Sequence, residues 1–107
     1  MDIGKVGVWF FLDAMSARES AKFAQTVEKA GYRALWIPEA VGREPFAHAS
    51  YLLSHTEQLS IATGIANIWA RDPITMAAAS KTVAELSDGR FVLGIGVSHK
   101  PLRLPPL

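Results

Sequence analysis

Four short apolar runs, each followed by a stretch long enough for a helix, limit what this chain can fold into. "IGKVGVWFFL" begins at residue 3, "ALWI" at 34, "SIATGI" at 60 and "RFVLGIG" at 90. These runs are rich in β-branched and aromatic residues and too short for helices, so each reads as a strand. They recur at about the thirty-residue spacing of a β-α-β unit. Strands alternating with helices imply a parallel sheet joined by right-handed crossovers. The expected strands cover 3–11, 34–37, 60–65 and 90–96. Their residues are apolar on both faces, as in parallel strands buried on both sides.

The segments between them carry helix signals. Ser16 followed by Glu19 makes a capping box. Phe23, Ala24, Val27 and Ala30 then share one helical face, and Gly31 stops the helix. Pro45 opens a second, short helix over "FAHASYLLSHT". Asp72 and Pro73 form a strong opening for a third, with the aspartate as N-cap and proline at the first helical position. That helix runs to about Leu86 or Ser87, where "SDG" ends it.

Composition narrows the function. The length of 107 residues permits one domain, and half the residues are apolar. A chain of this size buries only about two-thirds of the surface it exposes when unfolded, so it needs a closed architecture or a partner. The formal net charge of +1 is spread along the sequence without a basic stripe, which argues against a nucleic-acid face. Cysteine is absent, so neither a disulfide framework nor a thiolate metal site is available. The N-terminus lacks a basic segment before its apolar run, and no apolar stretch reaches membrane-spanning length. A cytoplasmic protein is the expectation.

In parallel β/α folds, ligands sit beyond the carboxyl ends of the strands. That rule selects Glu39 after the second strand, Gly64, Ile65 and Asn67 with Trp69 and Arg71 after the third, and Ser98 and His99 after the fourth. Glu39 can contact a polar ligand atom or handle a proton, or else serve as a solvated partner of Arg43. Gly64 admits a close backbone approach or a bulge. Arg71 can hold an anion beside a helix start, or lie on the surface. "GIGVSH" can cradle a phosphate, but it is not a complete dinucleotide fingerprint, because His99 stands where the third glycine belongs. His48 and His55 read as packing or surface residues, and no metal site is indicated. Trp9 and Trp36 lie inside strands and are expected in the core, which leaves Trp69 as the candidate for stacking on a flat ring.

Three separate motifs, "GYRALWIPE", "TGIANIWARDP" and "AELSDGRFVLGIGVSH", resemble the luciferase-like monooxygenase superfamily. The closest likeness is to its deazaflavin (coenzyme F420)-dependent oxidoreductases, and it covers residues 3 to 99. The resemblance implies a (β/α)8 TIM-type barrel with F420, or alternatively FMN, at its C-terminal mouth, acting on a small-molecule substrate by hydride transfer. It places Glu39 at the acidic position after strand two, the candidate catalytic residue. Gly64 and Ile65 match a strand-three bulge, often with a non-proline cis peptide, that backs the deazaflavin ring. Asn67 would lie near the ring, and Ser98 and His99 match residues that touch the cofactor's side chain. The family often has histidine after the acidic residue. Here it is Ala40, so the resemblance supplies no proton carrier at that position.

The expected architecture is α/β, a (β/α)4 half of such a barrel over residues 1–99, followed by a loose proline-rich tail over 100–107. "KPLRLPPL" does not read as the helix that would follow a fourth strand, so the chain reads as a truncated member. Half a barrel leaves its first and fourth strands as open edges. Self-association, most simply as a homodimer, is therefore expected. The alternative function is a non-catalytic half-barrel that dimerises or binds ligand weakly. A flavodoxin-like nucleotide binder is a third reading, which the glycine-free "FFLDAMS" after strand one disfavours.

Overall fold

The computed structural model describes residues 3–97. In chain order its elements are β1 (Val8–Trp9), α1 (Ala17–Lys29), β2 (Ala34–Ile37), α2 (Pro45–Ser54), β3 (Ser60–Thr63), β4 (Ala66–Asn67), α3 (Pro73–Leu86), β5 (Phe91–Val92) and β6 (Ile95–Gly96). The main sheet is parallel throughout, in the order β1-β2-β3-β5, and β4 pairs with β6 in a short parallel extension. Strand order that advances in one direction, with crossovers of one hand, puts every helix on the same side of the sheet. This is the α/β architecture expected from the sequence.

Local signals act as read. Ser16 Oγ accepts from the Glu19 N–H while the Glu19 carboxylate accepts from the Ser16 N–H. Asp72 caps α3 through the Thr75 N–H, with Pro73 in the first turn. Gly31, at φ +93°, takes the left-handed conformation that ends α1. The buried face of α1 differs slightly from the expectation. Ser20, Ala21, Ala24 and Val27 are buried, whereas Ala30 is exposed because it is the C-cap, beyond the last helical turn.

The strands are shorter than the apolar runs. The first forms its ladder only at Val8–Trp9, plus a bond from the Phe10 N–H to the Trp36 carbonyl. Gly4 takes positive φ, and residues 4–7 are exposed. The third and fourth runs each break in two, at Gly64–Ile65 and at Leu93–Gly94.

Cross-strand register sorts side chains by face. Leu35, Ile61 and Phe91 form one row, and all three are buried in the core with Ala24, Val27, Leu52, Leu53 and Val83 of the helices. Trp9, Trp36, Ala62 and Val92 form the adjacent row and point to the opposite face. That face has no covering layer among the described residues. Trp9 is 58% exposed there, so it is not the core residue that the sequence suggested.

Below the sheet, two charged side chains hold backbone. Glu28 on α1 accepts from the N–H groups of Glu57, Gln58 and Leu59 at 2.6–3.3 Å. Arg90 donates to the carbonyls of Leu53, Thr56, Leu59 and Ser87 and to the Thr56 hydroxyl. Together they satisfy the end of α2 and the loop into β3, whose polar groups would otherwise be orphaned. No helix of the described residues is long and apolar enough to cross a membrane.

Candidate functional site

Glu39, Asn67 and Arg71 come from three segments and meet at the C-terminal ends of β2 and β4. Glu39 Oε1 accepts from the Asn67 N–H at 2.6 Å and from Arg71 Nη1 at 3.0 Å, and Oε2 accepts from Arg71 Nη2 at 2.5 Å. Arg71 also donates to the Asn67 carbonyl at 3.2 Å and to Glu44, the N-cap of α2, at 3.3 Å. Its guanidinium carbon lies 5.2 Å from the centroid of the Phe46 ring. The Arg71 and Glu39 side chains are only 12% and 10% exposed. The hydrogen bond it donates to Glu39 holds the Arg71 guanidinium above its ordinary pKa, with the Glu39 and Glu44 charges adding to it and burial opposing.

This arrangement replaces two expectations. The partner of Glu39 is Arg71, not Arg43, which turns away to donate to the Met15 carbonyl at 2.6 Å. Arg71 is not a surface residue, because the strand-end carboxylate draws it inward. The sequence placed both residues at the mouth, but their pairing spans 32 positions and has no local signal. Asp72 acts as the cap, and the Thr75 N–H and hydroxyl hold its carboxyl below the usual range.

Gly64 and Ile65 form the expected bulge, and the Gly64–Ile65 peptide bond is cis. The Gly64 N–H donates to the Ile37 carbonyl at 2.7 Å, and the Ile65 carbonyl accepts from the Glu39 N–H at 3.1 Å. The Gly64 carbonyl accepts from the Trp9 indole N–H at 2.9 Å. Thr63 bridges the matching break in the neighbouring strand: its hydroxyl donates to the Gly94 carbonyl at 2.7 Å and accepts from the Gly94 N–H at 2.9 Å. A Cβ on Gly94 would collide with the Thr63 carbonyl oxygen, and one on Gly96 would press on the Ile65 side chain at 3.0 Å. The glycines of "GIG" thus make room for the bulge.

Glu39, Ile65 and Asn67 are therefore one hydrogen-bonded group, to which Gly64 is joined through its peptide bond to Ile65. Ser98 and His99 lie outside the described residues, as does the proline-rich tail. Trp69, 45% exposed, stands two residues after Asn67, with its backbone N–H held by Asn67 Oδ1 at 2.9 Å. Beside it, Ile68, Arg71, Met76, Leu93 and Ile95 line a mostly apolar cavity of about 410 Å³. His48 is remote from the group; its Nε2 lies 2.8 Å from Ser20 Oγ in the α1–α2 packing. Burial, followed by the Arg43 charge, lowers its pKa, and Asp13 opposes.

Residues 4–104 match the profile of the luciferase-like monooxygenases. The chain belongs to that family. Among its luciferase-like relatives is a Mycobacterium tuberculosis protein provisionally named a coenzyme F420-dependent oxidoreductase. The two are 30% identical over 94 residues, which is 88% of this chain and 26% of the relative. The coenzyme F420 dependent tetrahydromethanopterin reductase from Methanopyrus kandleri has the same fold, with a TM-score of 0.83 at 22% identity over 90% of this chain and 28% of that one. The oxygenating constituent of 3,6-diketocamphane monooxygenase from Pseudomonas putida, solved with FMN, superimposes with a TM-score of 0.76 at 20% identity, over 90% and 30% of the two chains. This luciferase-like chain thus spans between a quarter and a third of the length of the proteins it matches.

Proposed function

We propose that this chain forms the cofactor-holding strands of an F420-dependent oxidoreductase that transfers a hydride to or from a small-molecule substrate. The observation that carries the reading is the bulge at Gly64–Ile65, hydrogen-bonded to Glu39 and followed, after Ala66, by the buried Asn67, at the strand ends where parallel β/α folds bind ligands. The family assignment and the name of the M. tuberculosis relative support the choice of cofactor.

The residues present fit a flat ring. Gly64 adds no side chain, and Trp9 and Trp36 give the adjoining inner face a planar, apolar lining. The deazaflavin supplies the hydride chemistry when bound. Gly64 and Ile65 would back the ring and Asn67 would lie beside it, with Ser98 and His99 assigned to its side chain. Both oxygens of Glu39 already accept hydrogen bonds, so its part in this reading is to fix Asn67 and Arg71 at the mouth. Ala40 offers no side chain that could carry a proton.

Fluorescence titration of the chain with F420 and, separately, with FMN tests the proposal. Saturable binding of F420 in preference to FMN is expected. Preference for FMN would move the chain to the oxygen-activating side of the family. Binding of neither by a folded sample would leave the non-catalytic reading.

A further inference from the structure

The Trp9 indole makes a hydrogen bond that ordinary sheet pairing does not explain. Where β3 breaks, the Gly64 carbonyl leaves the ladder. A backbone carbonyl in that position needs another donor or water. Its donor is the indole N–H of Trp9, 2.9 Å away and 55 residues earlier in the chain. Trp9 lies on β1, and β2 separates β1 from β3, so the side chain crosses a whole strand to reach Gly64. It passes beside Trp36, and a Cβ on Gly64 would meet Trp36 at 3.4 Å and Trp9 at 3.5 Å.

Burial does not account for this placement. At 58% exposure the ring does little of the work of a core tryptophan. Leucine or valine would suit a solvent-facing position on β1 equally well if packing were the only demand. What tryptophan adds is a long reach, a flat face and a single donor at its tip.

We infer that Trp9 is a positioning residue: its N–H fixes the Gly64–Ile65 step and thereby the surface against which the cofactor ring lies. The inference rests on the cofactor site proposed above. Its structural half, that the indole orders the bulge, stands apart from whether F420 binds.

The test uses the whole chain and the Trp9→Phe variant, which keeps a flat apolar ring and deletes the donor. Amide hydrogen exchange is followed by NMR at Ala66 and Asn67, whose N–H groups bond to the Gly94 carbonyl and to Glu39 just past the bulge. Ile61, bonded to the Arg90 carbonyl in the sheet centre, is the internal control. Exchange at 66 and 67 is expected to rise about five- to tenfold, the worth of one neutral hydrogen bond, with Ile61 unchanged. The F420 dissociation constant is expected to rise by a similar factor. Unchanged exchange at 66 and 67, or an equal rise at Ile61, would overturn the inference. If the parent chain binds no F420, the proposed function fails while the exchange result still decides the role of the indole. Should Trp9→Phe not fold, the parent's own indole signal decides: a slowly exchanging Trp9 side-chain proton, despite the exposed ring, is expected, and a fast one overturns the claim.

Discussion

Glu39 and Arg71 meet fork to fork, with Nη1 to Oε1 at 3.0 Å and Nη2 to Oε2 at 2.5 Å, and both side chains are nearly buried. Removing one member of such a pair leaves the other charge desolvated and alone. Arg71→Ala is expected to destabilise the chain by about 3–5 kcal/mol, the usual cost of breaking a buried pair. The double variant Glu39→Ala/Arg71→Ala should cost clearly less than the sum of the single variants. Urea unfolding of the four proteins measures the coupling, and strict additivity would show that the pair does not act as a unit.

Gly94 and Gly31 should fail for different reasons when changed to alanine. At Gly94 the new methyl meets the Thr63 carbonyl, so the strands must move apart. The expected cost is about 1–3 kcal/mol or more, typical of overpacking. At Gly31 nothing lies within 4 Å, and only the φ of +93° resists a side chain. A cost of about 1–2 kcal/mol follows from the left-handed backbone alone. Gly94→Ala should also shift the resonances of Thr63 and Ile65, whereas Gly31→Ala should leave them in place.

Acid should weaken the floor of the sheet. Burial raises the pKa of Glu28, but the N–H groups of Gln58, Leu59 and Glu57 outweigh it and hold the carboxyl below its ordinary 4.5. A carboxylate with a depressed folded pKa stabilises the fold at pH above its unfolded value, and that contribution is lost as pH falls through the folded value. The stability difference between the parent and Glu28→Gln should therefore be widest above pH 4.5 and shrink below it. Denaturant midpoints across a pH series test this, and a difference that widens on acidification would contradict it.

Among the described residues the main sheet ends in two unpaired edges, β1 and β5, and its inner row carries the exposed Trp9. Self-association of the chain through these edges is expected. Sedimentation velocity should show mass rising with concentration. Val6→Lys, which places a charge at an exposed position beside β1, should reduce it. A compact monomer at the highest attainable concentration would exclude pairing of this kind.

The sequence was readable where one residue decides its own surroundings. Ser16 with Glu19, Asp72 with Pro73, and Gly31 each act within a turn, and each does what its chemistry suggests. The glycine at 64 offered a bulge as one of two readings, and the family resemblance selected it, because a two-residue interruption does not disturb the apolar pattern of "SIATGI". The exposure of Trp9 could not be read, since an apolar strand does not say which of its faces is covered. Arg71 was seen as a possible anion holder, but its anion proved to be Glu39, brought in by the fold. "GIG" suggested a ligand cradle, and Gly94 is explained by a neighbouring carbonyl, which only the assembled sheet supplies.

The two ends of this sheet recognise their partners differently. At the mouth, Glu39 and Arg71 read each other's side chains, so a change in one demands a change in the other. At the floor, Glu28 reads only the N–H groups of residues 57, 58 and 59. A loop gripped by its main chain imposes no spelling: almost any residue but proline can stand at 57 or 58 without loosening the grip. Substitutions should therefore scatter freely along the outer rim of that loop, while at the mouth they should appear in matched pairs.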